Sequence, residues 1–315
     1  MADMSTLFGT RRGETFLDLP AIDLSTGGLS ALNAGAVILG APCATPYASV
    51  GPYCAGAPAA IRQAMAADIP DPANMDFDLG GPVLAGGFAA VDAGDLPFDA
   101  AAPAANRDRI RSAVGAILDA GAVPLTVGGD DSIPIPVFQA FEGRGDVTIL
   151  QIDAHIDWRD EVNGERWGLS STMRRASEMP HIGRIVQVGQ RAIGSARPGD
   201  HADALAWGAT FVSAREIFAE GLGRALEAIP EGGDVIVSLD VDSLDPAIMP
   251  AVIGPAPGGL TYWQVIELIS GVAAKARIAG FNIVELMPER DIQGLSALTA
   301  GRILCVVLGL LARAG

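Results

Sequence analysis

The apolar runs of this sequence carry hydrophobic side chains at consecutive positions, not at every second one: Ala36–Gly40, Val123–Val127, Val147–Ile152, Arg184–Val188, Asp234–Leu239 and Ile278–Glu285. A strand covered on one face alternates apolar with polar residues, whereas a run without alternation is covered on both faces. Segments of helical spacing stand between the runs, as in Asn106–Ala120, where Ile110, Val114, Ile117 and Leu118 fall on one side. With shorter strands expected at Phe88–Asp92 and Thr210–Val212, the chain reads as about eight strands alternating with helices. The further helices are expected at Ala57–Ala67, Pro136–Phe141, Thr172–Glu178, Ala214–Ile229, Leu260–Ala273 and Ala297–Ala312. This pattern implies an α/β fold with a mainly parallel sheet between layers of helices. Residues 1–34 lack periodicity and read as an N-terminal arm that packs on the domain or on a neighbouring subunit; residues 35–315 read as a single domain.

In open parallel sheets, binding and chemistry gather beyond the C-terminal ends of the strands, and the acids of this chain concentrate there. The run ending at Ile152 is followed by Asp153-Ala154-His155-Ile156-Asp157. On an extended backbone, residues i, i+2 and i+4 share a face, so two carboxylates and an imidazole are expected to point into one small volume. The run ending at Leu239 is followed by Asp240 and Asp242, and the one ending at Val127 by Gly128-Gly129-Asp130-Asp131-Ser132. Carboxylates in a half-buried cluster repel one another unless a cation sits among them. Asp131, Asp153, His155, Asp157, Asp240 and Asp242 are too many ligands for one small ion. They suit two divalent metals that share carboxylates and a water. Oxygen donors dominate, which favours Mn²⁺ over zinc. Asp245, next to Pro246, reads as a loop-capping residue.

Composition narrows the partners. A net charge of −16, from 37 acidic against 21 basic residues, argues against nucleic acid or an anionic membrane and is compatible with a cationic substrate. Cys43, Cys54 and Cys305 form neither a disulfide framework nor a zinc motif, and a cytoplasmic setting is expected. The N-terminus has no apolar signal region, and no run approaches the ~18–20 apolar residues of a membrane helix.

These motifs resemble those of the ureohydrolases, the family of arginase, agmatinase and guanidinobutyrase. Asp153–Asp157 resembles the DAHxD signature, Ser238–Pro246 the SxDxDxxDP signature, Gly128–Ser132 the GGDHS motif and Pro257–Leu260 the PGG(L) that follows. The likeness runs from about residue 36 to the end and is greatest to the agmatinase-like branch. It implies a three-layer α/β/α fold with an eight-stranded sheet (arginase/deacetylase-like), trimers or hexamers, and a binuclear manganese or nickel centre. It also implies hydrolysis of a guanidino compound to urea and an amine. Carried over, Asp153 and Asp240 would bridge the metals, Asp131 and Asp157 would complete one site, and His155 and Asp242 the other. Glu285 would pair with the guanidinium, and Asp157 would relay a proton to the leaving amine. Asn163 is a candidate polar contact to substrate, with a role as a turn residue as the alternative. Substrate choice is expected from the loops at 42–56, 158–171 and 246–258.

Two positions depart from the family pattern. Asp131 stands where the family has histidine, which leaves one metal site made of carboxylates alone. The loop after DAHxD lacks the family's histidine: Leu169 or Ser170 falls there, and His181 and His201 lie outside every motif, read as ordinary loop or surface residues. Two readings follow: an active hydrolase with an altered metal site, or a catalytically impaired partner subunit in a hetero-oligomer with an active paralogue, as in the metformin hydrolases.

Overall fold

The structure, a computed structural model, describes residues 14–24, 34–68 and 71–314. Its eight strands are β1 (Ala36–Ala41), β2 (Ala90–Asp95), β3 (Val123–Gly128), β4 (Val147–Ile152), β5 (Ile182–Val188), β6 (Thr210–Val212), β7 (Asp234–Asp240) and β8 (Arg277–Val284). They form one sheet in the order β2-β1-β3-β8-β7-β4-β5-β6, and every pairing is parallel.

Helices cover both faces, as consecutive apolar residues require. β1 sends Ala36 and Ile38 to one side and Val37, Leu39 and Ala41 to the other. The first side is packed by α1 (Ala57–Asp68), α6 (Ala214–Glu220), α7 (Gly223–Glu227), α8 (Tyr262–Ala273) and α9 (Leu295–Leu311). The second is packed by α2 (Pro103–Asp119), α3 (Pro134–Gln139), α4 (Thr172–Ala176) and α5 (Pro198–Trp207). The three-layer α/β/α expectation therefore holds. The apolar last helix, α9, spends its surface inside the domain. Gly301 lies so close to Met65 of α1 that a Cβ there would stand 2.3 Å from the Met65 sulfur.

Several boundaries differ from the sequence reading. β2 begins later and runs through Asp95. The expected helix 214–229 is two helices, because Gly221 at φ 80° ends the first. Helix α5 was not expected at all; its signals, Pro198 in the first turn and a left-handed Gly208 beyond the last, are those of an ordinary helix. Of the N-terminal arm, residues 14–24 pack on the domain: Phe16, Leu17 and Leu19 are buried, and the Phe16 N–H donates to Asp92 at 2.7 Å. Most of the remaining arm lies outside the described residues. No helix among the described residues is long and apolar enough to cross a membrane.

Strand order locates the site. After β3 the chain passes over the positions later filled by β8 and β7 before laying down β4. The C-terminal ends of four neighbours, β3, β8, β7 and β4, therefore stand side by side at a topological switch point. Asp240 is the last residue of β7, and Asp131, Glu285 and Asp153 follow β3, β8 and β4.

Candidate metal centre

One local device recurs at these strand ends. The side chains of Asp130, Asp153 and Asp240 each accept the backbone N–H two residues on, from Ser132, His155 and Asp242, at 3.1, 2.5 and 2.7 Å. An Asx turn of this kind stops a strand and folds the next residues over its end. The expectation that Asp153, His155 and Asp157 meet by strand alternation is therefore corrected: β4 ends at Ile152, and Asp157 has a left-handed φ of 50°. The Asp157 carbonyl is held by the N–H groups of Met173 and Arg174, each at 3.1 Å.

The turns bring the acids together. Ligand atoms of Asp131, Asp153 and Asp240 lie within 4.8 Å of one another, as do those of Asp153, His155 and Asp242, so two triplets share Asp153. His155 Nδ1 is 3.0 Å from Asp242 Oδ2 and 3.5 Å from Asp153 Oδ1. All five aspartates, Asp157 included, are buried. Asp157 joins the group through Gln151, whose Nε2 donates to Asp153 Oδ2 at 2.6 Å and to Asp157 Oδ2 at 2.7 Å.

The electrostatics ask for positive charge. Burial, then the neighbouring carboxylates, hold Asp131, Asp157 and Asp240 well above the usual carboxylate range. Burial opposes protonation of His155, but its bonds to Asp153 and Asp242 outweigh that and push the imidazole up to about 12. Each carboxylate pair at such separations costs roughly 3–4 kcal/mol at an effective dielectric of about 20. In addition, Asp131 Oδ2 is buried with no hydrogen-bond partner among the described residues. An orphaned carboxylate oxygen inside a ring of buried carboxylates fits a divalent cation.

Glu285 stands beside this cluster at the end of β8. Its backbone is left-handed, at φ 71°, and pinned: the N–H donates to Gly129 O at 2.8 Å, and Oε1 accepts the Asp131 N–H at 2.8 Å. Burial and the charge of Asp130 push its carboxyl up to about 8. Gly129 is required here, since a Cβ would fall 2.2 Å from the Pro42 carbonyl oxygen.

Asn163 is exposed at φ 53° and, with Gly164, forms a two-residue turn closed by paired bonds between Val162 and Glu165. Asp245 staples the following loop by accepting the N–H groups of Gly258 and Gly259. Leu169 and Ser170 lie in a 3₁₀ turn, where Ser170 is buried and donates its N–H to Tyr47. His181 is buried, not on the surface, with Nε2 2.8 Å from Phe138 O, and His201 is exposed against Phe211.

The sequence reading missed a second layer. Gln187, Gln151, Ser238, Asn282 and Thr126 pair in register across five adjacent strands and are buried on the face covered by α2 to α5. Trp158 donates to Gln187, Gln187 to Gln151, and Gln151 to the two carboxylates, so a chain of donors orients the site from beneath. Arg191 pins the loop after β7 through the carbonyls of Asp242, Ser243 and Leu244. Beside His155 a cavity of about 410 Å³ opens, lined also by Gln190, Arg191 and Ile193.

The chain is similar to known proteins over most of its length. A profile of the arginase family matches residues 34–309. The chain is 30% identical to an agmatinase of Pyrococcus horikoshii over 94% of this chain and 96% of that one. It is 35% identical to a guanidinobutyrase of Pseudomonas aeruginosa over 62% of this chain and 64% of the relative, so that match spans somewhat under two thirds of the relative's length. Among solved structures it resembles the proclavaminate amidino hydrolase of Streptomyces clavuligerus, with a TM-score of 0.81, 27% identity, and coverage of 97% of this chain and 99% of that one.

Proposed function

The chain belongs to the arginase family, and we propose that it is a metal-dependent hydrolase that cleaves a C–N bond of a small guanidino compound, releasing urea and an amine. The observation that carries this reading is the pair of triplets sharing Asp153, with Glu285 bonded to the backbone of Asp131 beside them. Asp131, Asp153, Asp157 and Asp240 would hold one divalent cation, and Asp153, His155, Asp240 and Asp242 the other, with Mn²⁺ preferred and Ni²⁺ acceptable. Such a pair supplies a nucleophile near neutral pH by acidifying water.

The chain's own residues do the rest. A guanidinium carbon is a poor electrophile because its charge spreads over the nitrogens, so orientation matters. A carboxylate fixed at Glu285 holds the planar cation by paired hydrogen bonds and aims it. Asp157, held from below by Gln151, takes a proton and delivers it to the departing amine. The relatives named agmatinase and guanidinobutyrase put a guanidinium on a short chain at the head of the substrate candidates.

The test is urea release by the Mn²⁺- or Ni²⁺-loaded chain from agmatine, 4-guanidinobutyrate, guanidine and biguanides. Urea from at least one supports the reading. No urea from any of them with both metals bound opposes it, and activity appearing only on addition of a second chain would point to an impaired partner subunit of a hetero-oligomer.

A further inference from the structure

The Tyr53 phenol donates to Glu285 from 2.8 Å to Oε1 and 2.7 Å to Oε2. A donor almost equidistant from both oxygens of a carboxylate stands between them, in the notch where a two-pronged cation places its pair of N–H groups. Tyr53 and a guanidinium therefore require the same face of Glu285.

Glu285 cannot yield. It is 3% exposed, its backbone N–H is spent on Gly129, its Oε1 is tied to the Asp131 N–H, and its φ of 71° is tolerated only because these bonds fix it. Tyr53 can yield. It is only partly buried, in a loop of short turns such as that closed by its own N–H on Gly51 O, and its phenol has no other hydrogen-bond partner among the described residues. We propose that Tyr53 is a specificity-determining residue that holds the cation seat at Glu285 and must be displaced by substrate. This rests on the reading of Glu285 as the guanidinium partner. The consequence is a threshold: bare guanidinium binds weakly, and a productive ligand needs a tail whose further contacts offset the lost phenol bond.

The experiment measures binding of guanidinium chloride and of agmatine, by calorimetry, to the Mn²⁺-loaded full chain, to Tyr53→Phe and to Glu285→Gln. Phenylalanine keeps the ring and removes the competing donor. Because hydrogen bonds to charged groups are among the stronger ones, Tyr53→Phe should bind both probes at least about tenfold more tightly, and Glu285→Gln should bind neither. Equal or weaker binding by Tyr53→Phe would overturn the proposal, as would binding that survives in Glu285→Gln. Urea release measured alongside separates the two readings: tighter binding in Tyr53→Phe without urea from any guanidino compound leaves Tyr53 in its role and removes the hydrolase assignment.

Discussion

His155 Nδ1 lies 3.0 Å from Asp242 Oδ2, which joins the end of β4 to the end of β7, its neighbour in the sheet. His155 is the single nitrogen donor in the cluster and belongs to one triplet only. His155→Ala should therefore lower bound metal from two ions to one, leaving the triplet of Asp131, Asp153 and Asp240. Urea release should fall by more than about 100-fold, since even partners behind the ligands cost 10–100-fold. Metal analysis of the purified variant checks this; two retained ions would show that His155 is not a ligand.

Gln151 offers one amide to two carboxylates. Gln151→Leu keeps the bulk in the strand and removes that donor, so Asp153 and Asp157 lose their common orientation. Metal affinity is expected to drop by about 10–100-fold with the far-ultraviolet spectrum unchanged. Titration of the metal-free variant with Mn²⁺ measures it, and an unchanged affinity would make the layer beneath the site purely structural.

Asp131 adds a negative charge where a neutral histidine would not. Asp131→His should relieve the repulsion from Asp157 and Asp153 and strengthen the bound cations as Lewis acids. The acid limb of the pH–rate profile should move down by roughly one unit or more. A profile that stays in place would mean that this carboxylate does not govern the reactive ionisation.

The metal-free protein should lose stability as pH rises. Asp130 is raised by burial to about 6 and Glu285, by burial and then Asp130, to about 8, and Asp131, Asp157 and Asp240 are raised as well. Acids whose folded pKa exceeds the unfolded value leave the native state holding more protons, so their stabilisation is full below about pH 4 and is lost as pH climbs through the folded values. The lowered pKa of Asp153 acts in the opposite sense, at pH values below that window. Melting temperatures of the metal-free chain should fall between about pH 5 and 8, and added Mn²⁺ should remove the slope. A metal-free melting temperature that rises over this interval would contradict the buried, repelling cluster.

The layers of the fold were legible because consecutive apolar residues permit little else than a strand covered on both sides. The acids were legible because they stand directly after such strands. Asp157 was found for the wrong reason: alternation does not carry it into the site; a left-handed turn does. Gln151, Gln187, Ser238, Asn282 and Thr126 escaped notice because a single polar residue in an apolar run carries no signal until the register aligns five of them. Tyr53 escaped because its partner is 232 residues away, and the Pro- and Gly-rich loop that holds it has no period to read.

The most direct measurement is the number of Mn²⁺ ions bound per chain after loading and removal of excess, for the natural sequence and for Asp153→Asn. Since both triplets share Asp153, two ions per chain are expected in the first and at most weak residual binding in the second. One ion or none in the natural sequence, or two in Asp153→Asn, would contradict a binuclear centre built on that residue.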